Sequence, residues 1–250
     1  MKEDSVRSVE RAFAILKCFS LDDYHLNLTT ITEQIGLPVT TTLRLLTTLV
    51  SLGLLKRNGD RSYSLGNEAY LIGAVARAHF KPQQIAHPYM SDLRDETKEA
   101  VSLYGLEGEY RVCYEHVPSL LTMRCVVRVG DRFPLWAGAG GKVMLAYEDE
   151  TVIEREAAKL KKITDGTLTD RKKFLEDLAE IRSRDYAISR GEREDGILSL
   201  AVPIFNREKR APLCMSIAGP STRFDDDKVA ALIPHIQEMC TKIARQLYIA

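Results

Sequence analysis

Residues 28–65 read as a short helix, a glycine turn, a second helix and a tight hairpin, an order of elements that constrains this chain more than any other feature. Ile31 and Ile35 lie one turn apart in the first helix, expected over residues 28–35. Two capping schemes compete for its start: Asn27 as N-cap, or Thr30 and Glu33 at capping-box spacing. Gly36 supplies the left-handed residue that ends it. Pro38 suits the first turn of the next helix, where its missing N–H costs nothing. That helix is expected to run to about Leu52 and stop at Gly53, with Leu45, Leu46, Leu49 and Leu52 as its buried stripe. Asn58-Gly59 between two short runs predicts a two-residue hairpin.

Helix, turn, helix and basic hairpin together describe a winged helix-turn-helix. Thr40, Thr41, Thr42 and Arg44 at the N-terminal end of the second helix would approach base edges in the major groove. Arg57 and Arg61 flank the hairpin turn, where a wing touches phosphates or the minor groove. Arg7 is a further candidate phosphate contact. The competing reading is an ordinary αα-hairpin beside a β-hairpin within a larger core. Charge does not decide between them. Residues 1–66 hold eight basic side chains (Lys2, Arg7, Arg11, Lys17, Arg44, Lys56, Arg57, Arg61) against seven acidic ones (Glu3, Asp4, Glu10, Asp22, Asp23, Glu33, Asp60). Any DNA footprint must therefore come from placement on one face.

The bulk properties bound the alternatives. At 250 residues and 45% hydrophobic, the chain can bury one large core or two ordinary ones. A formal net charge of zero gives no overall attraction to nucleic acid, membrane or acidic substrates. Cys18, Cys113, Cys125, Cys214 and Cys240 are dispersed without a C-x-x-C, which excludes a zinc knuckle or thioredoxin motif and predicts reduced thiols in the cytoplasm. Met1-Lys2-Glu3-Asp4 is charged and has no apolar signal core. No run approaches the roughly 20 apolar residues of a membrane helix.

A helix is expected over residues 8–20, with Val9, Ala12, Phe13, Leu16 and Phe19 turned to the core. Residues 67–80 form a mainly apolar helix, with Leu71, Ile72, Val75 and Ala78, stopped by Lys81-Pro82. It reads either as a linker helix, whose Gly73, Ala74, Ala76 and Ala78 would let two copies pack closely, or as a plain spacer. A helical segment at 82–98 follows, with Ile85, Tyr89, Leu93 and Thr97 on one side. Alternation then predicts strands at 100–106, 110–116 and 121–129 and a short extended piece at 132–136. Helices at 138–148, 150–160 and 171–184 precede strands at 186–189, 198–206 and 213–218, and a helix at 226–248 closes the chain. The fold class is α+β: a DNA-reading domain over 1–66, a linker helix over 67–81, and a domain over 82–250 around a mostly antiparallel sheet.

No catalytic constellation emerges. The turn Gly138-Ala139-Gly140-Gly141-Lys142 is not a Walker loop, which needs glycine where Trp136 stands and Ser or Thr where Val143 stands. The dinucleotide fingerprint wants a third glycine at 143. There is no G-x-S-x-G, and the five histidines lack metal-ligand spacing, so no metal and no cofactor are expected. The charged run 190–195 reads as a solvated loop. What remains is a ligand pocket. Amides at Ala139, Gly140 and Gly141 at a helix N-terminus suit a carboxylate. Ser199 and Ser216 lie at inward-compatible strand positions, either fixing a polar ligand or bonding across the sheet.

Ordered short motifs run through the whole chain. The head carries Ser8-Val9-Glu10-Arg11-Ala12, Ile35-Gly36-Leu37-Pro38, Arg44-Leu45-Leu46-x-Thr48-Leu49 and Tyr63-x-Leu65-Gly66. The large domain carries Arg128-Val129-Gly130-x-Arg132-x-Pro134-Leu135, Ala139-Gly140-Gly141-Lys142, Ala201-x-Pro203-Ile204 and Ser216-Ile217-x-Gly219-Pro220. In these the chain resembles the IclR family of bacterial transcription regulators. The resemblance implies a winged-helix head, a dimerising linker helix, a GAF-like effector domain and control of an operon for small-molecule catabolism, often of aromatic or aliphatic carboxylic acids. It places the pocket at Cys125, Phe133, Ala139, Gly140, Ile197, Ser199 and Ser216. The chain departs from the family pattern in having Ser189 where an acidic residue is frequent, Ser199 where a cysteine is frequent, and no basic residue at Val39.

The leading expectation is thus a homodimer or homotetramer that binds a double-stranded operator, represses or activates a catabolic operon, and answers to a small carboxylic acid. The alternatives are a DNA-binding oligomer with no effector, and a small-molecule enzyme, for which the sequence offers no dyad.

Overall fold

The computed structural model describes residues 6–248, so the charged terminus Met1-Lys2-Glu3-Asp4 lies outside it. Internal contacts divide the chain into two units, Met1–Phe80 and Lys81–Ala250.

The first unit runs α1 (Arg7–Leu16), α2 (Leu28–Ile35), α3 (Val39–Ser51), β1 (Leu55–Arg57), β2 (Tyr63–Leu65) and α4 (Asn67–Ala78). Asn27 is the cap of α2: its side-chain oxygen accepts the Thr30 N–H at 2.9 Å. Gly36, at φ 62°, ends that helix in the left-handed region, which only glycine enters freely. Pro38 stands at the N-cap of α3, one residue earlier than expected. Ile15, Ile31, Leu46, Leu49, Leu55 and Tyr63 form the core, each large side chain contributing about 1.5–3 kcal/mol of burial. Leu26 and Tyr63 exchange two backbone hydrogen bonds, 3.0 and 2.8 Å, tying the hairpin to the chain ahead of α2.

Three local expectations are corrected here. Leu52 is 58% exposed, because α3 ends at Ser51 and Gly53 turns the chain so that Leu55 takes the core position. The helix α1 is shorter than expected and rotated: Ile15 is fully buried, while Val9 and Phe13 are each 59% exposed. The hairpin is wider than a two-residue turn. Arg57 pairs with Tyr63, Asn58 and Ser62 close the loop through a 2.8 Å backbone bond, and the positive φ falls on Arg61 (66°) rather than on Asn58 or Gly59. Asp60 explains the shift, since its carboxylate accepts from both the Ser62 N–H (3.0 Å) and the Ser62 hydroxyl (2.7 Å).

The second unit begins with α5 (Lys81–Thr97), β3 (Ala100–Glu107), β4 (Tyr110–Val117) and β5 (Arg132–Pro134). Three helices follow, α6 (Ala139–Leu145), α7 (Glu150–Ala157) and α8 (Arg171–Arg184), then β6 (Ala187–Arg190), β7 (Ile197–Ile204), β8 (Leu213–Pro220) and α9 (Asp226–Tyr248). The six strands form one sheet, β5-β4-β3-β8-β7-β6, antiparallel at every neighbour. Strand alternation separates two cores. Val101, Leu103, Leu200, Val202, Met215 and Ile217 meet α5 and α9 on one face. Tyr104, Cys113, Ala187, Ala201 and Cys214 meet α6 and α8 on the other. The expected strand at 121–129 is absent: that segment is a loop. The outer edge of β4 is already taken, because Cys113 donates to Asp131 O (2.9 Å) and accepts from Gly130 N (2.8 Å) as the chain enters β5.

Candidate nucleic-acid interface and ligand cavity

On α3 the side chains opposite the buried Leu46 and Leu49 form one solvent face. Thr40 and Arg44 lie on it and are exposed; Thr41 is half-buried at its margin. Thr42 does not belong to it. Thr42 is fully buried, and its hydroxyl donates to Pro38 O at 3.2 Å, so it locks the first turn of the helix and is not part of the exposed set. The same face continues through Leu43, Thr47 and Thr48, which the sequence reading did not single out. The 3.6-residue period that buried Leu46 and Leu49 would have found them. The Thr47 and Thr48 hydroxyls donate to Leu43 O (2.9 Å) and Arg44 O (3.1 Å), which leaves their oxygens outward as acceptors. Arg57 and Arg61 are exposed at the hairpin, and Arg7 at the start of α1. Among the described residues none of Arg7, Arg44, Arg57 and Arg61 enters an ion pair, so their charges are available to a phosphate backbone.

In the second unit a cavity of about 70 Å³ opens at the end of the α6–α8 side of the sheet. Of the eight expected pocket residues, the structure brings Cys125, Ile197, Ser199 and Ser216 to its wall. Ser189 joins them, paired across the sheet with Ser199. Burial pushes the Cys125 thiol up to about 11, so it faces the cavity as a neutral group. Phe133 is not on the wall but stacks behind it. Ala139, Gly140 and Gly141 are fully buried within α6 and do not line the cavity. The helix N-terminus is already answered by protein: Glu192 accepts the Gly138 N–H at 2.9 Å with one oxygen and the Lys142 ammonium with the other. Lys142 is itself fully buried and also bonds Asp177 at 2.8 Å. The run 190–195 is therefore not simply a solvated loop, because Glu192 is 5% exposed and Arg193 half-buried.

The charged groups of the cavity are Arg111 and Arg193, which the sequence reading missed. Arg111 occupies the inward parity of β4 with Cys113, which is the signal that was available. Only 4% of it is exposed. Its guanidinium lies 4.6 Å from the Tyr104 ring centroid and 4.9 Å from that of Phe133, its cross-strand partner. The Arg193 guanidinium stacks 3.7 Å from the same Phe133 centroid. Gly138 and Gly140 make the room. A side chain on Gly140 would begin 2.5 Å from Arg111 Nη1, and one on Gly138 would begin 3.3 Å from Arg111 Nη2 and 3.1 Å from Arg193 Cδ. Burial, then the neighbouring Arg111 charge, pulls the Arg193 guanidinium down to about 10. Arg111 Nε is buried and has no hydrogen-bond partner among the described residues. Each cation–π contact returns about 2 kcal/mol or somewhat more when desolvated, whereas burying a charge without a paired counter-charge costs several kcal/mol. The aromatic rings alone do not settle two guanidiniums here.

Comparison with known proteins identifies the two domains. Residues 8–59 match the model of the IclR helix-turn-helix domain, and residues 76–245 match that of the bacterial transcriptional regulator IclR C-terminal domain. The HTH-type transcriptional regulator KipR of Bacillus subtilis is 29% identical over 243 residues, covering 96% of this chain and 97% of that protein. A crystal structure of an IclR transcriptional regulator from Alicyclobacillus acidocaldarius superposes with a TM-score of 0.83 at 29% identity, covering 96% of this chain and 98% of that one. An IclR homologue of Microbacterium hydrocarbonoxydans, solved in complex with 4-hydroxybenzoate, shares the fold at a TM-score of 0.79 and 23% identity, covering 97% of this chain and 100% of that one. No helix among the described residues is long and apolar enough to cross a membrane. With both domain models matched in order, this chain belongs to the IclR family of bacterial transcriptional regulators.

Proposed function

We propose that the protein is an operator-binding regulator of a catabolic operon whose DNA affinity is set by a small carboxylic acid in the second unit. The observation that carries this reading is the α3 face: Thr40, Arg44 and Thr47 exposed in a row, with the unpaired Arg57 and Arg61 on the wing that follows. Threonine hydroxyls and an arginine fork are groups that read base edges, and wing arginines bind backbone. The arginine-lined cavity supports an anionic effector, as does the carboxylate held by the Microbacterium homologue. The assembly is a homodimer or homotetramer. Val75, Ile72 and Tyr70 on α4 are 66, 60 and 75% exposed, and Val9 and Phe13 on α1 add to the uncovered apolar surface, which a second copy would bury. The division proposed is reader 1–66, linker helix 67–81 and effector domain 82–250.

Selection from a random duplex pool tests the reading. The wild-type protein enriches one sequence motif, and the Thr40→Ala/Arg44→Ala double variant enriches none. A wild-type protein that enriches nothing, or a double variant that recovers the same motif, contradicts it.

A further inference from the structure

Arg111 and Arg193 converge on one wall of the cavity, over Gly138, and among the described residues neither guanidinium has a carboxylate partner of its own. The two acidic side chains at that wall do not supply one. Both oxygens of Glu192 are committed, to Gly138 N–H and Lys142, and Glu194, whose charge does act on Arg193, stands exposed at the rim, where solvent screens it, and forms no ion pair with either arginine among the described residues. Arg111 is 96% buried by difference from its 4% exposure, carries an unpartnered Nε, and lines the cavity. Three hydroxyls, Ser189, Ser199 and Ser216, line the same cavity. Two like charges brought together out of water call for two compensating charges rather than one. The volume of about 70 Å³ is far below the roughly 300–1,000 Å³ of sites for drug-sized ligands, so those charges must be carried by a small molecule.

From this juxtaposition we infer that the effector of this protein is a compact dianion, each charge facing one of Arg111 and Arg193, with the serines bonding its remaining oxygens. The inference rests on the carboxylate-effector reading and narrows it to doubly charged ligands. Planar carboxylates fit the fork of an arginine in pairs of hydrogen bonds, which makes a short dicarboxylate the first class to try and inorganic phosphate the second source of the same charge.

Calorimetric titration of the full-length protein with malonate, succinate, acetate, propionate and inorganic phosphate is the test. A dianion, whether dicarboxylate or phosphate, should bind at least about tenfold more tightly than the monocarboxylates, a difference of about 1.4 kcal/mol. Arg111→Gln and Arg193→Gln should each reduce that preference to threefold or less, as no change in packing alone would do. Arg193, half-buried and outside the sheet, keeps the test decisive if the Arg111 variant does not fold. Monocarboxylates that bind as tightly as the dianions, or an Arg193→Gln variant that keeps the full preference, overturn the inference while leaving the carboxylate-effector reading intact. If no acid of either charge binds, that reading falls as well.

Discussion

Lys142 sits in α6 with 1% of its side chain exposed, between Glu192 and Asp177, and it ties the α6 turn to the loop after β6 and to α8. Removing one partner of a buried ion pair leaves the others charged and desolvated. Lys142→Met should therefore cost about 3–5 kcal/mol of unfolding free energy, read by urea denaturation. A loss below about 1 kcal/mol would show that the cluster is solvated. A second titratable group gives a pH dependence. Burial holds the His116 imidazole below its ordinary 6.5, and its Nδ1 lies 2.9 Å from the Ser102 hydroxyl. Because the folded state resists the proton that the unfolded chain accepts, the neutral form stabilises the fold above pH 6.5, and stability falls as pH drops below it. His116→Gln should flatten the unfolding free energy between pH 6.5 and 5; an unchanged slope would assign the dependence to other groups.

Among elements, α4 is the least satisfied. Apolar along much of its length, it has no buried residue within its own unit. Val75→Glu should raise the protomer dissociation constant roughly tenfold or more in sedimentation velocity, the equivalent of losing about 1.5 kcal/mol of apolar burial. A wild-type protein that sediments as a monomer at micromolar concentration would remove α4 from the assembly. The elements also show what the sequence could and could not tell. The helix-turn-helix was legible because its signals are local: Asn27, Gly36 and the Leu46–Leu49 spacing act within a few residues. Loop 121–129 was misread because alternation of Leu121, Met123, Cys125 and Val127 reports inward and outward parity, not whether a strand edge is free to pair. Gly140 was misread for a related reason. A glycine beside a helix start looks like an anion cradle, whereas here it clears space for Arg111, a residue 29 positions earlier in the chain (140 − 111). The ion pair of Glu192 and the stacking of Arg193 are likewise made with residues far away in sequence, which no local pattern encodes.

At the scale of the whole molecule, the proposed ligand and DNA would communicate only through free energy. An effector changes operator affinity by its differential affinity for the DNA-competent and DNA-incompetent arrangements, and DNA changes effector affinity by the same factor. Such coupling requires that the duplex lie along α3 and the wing. The direct measurement is a titration of the selected duplex, and of a scrambled one, at several salt concentrations with wild type, Arg44→Ala and Arg57→Ala. Arg44→Ala should lose about 1–3 kcal/mol on the selected duplex and little on the scrambled one. Arg57→Ala should weaken both alike and lower the salt slope by about 1. Wild-type affinity and slope retained in both variants would contradict the account.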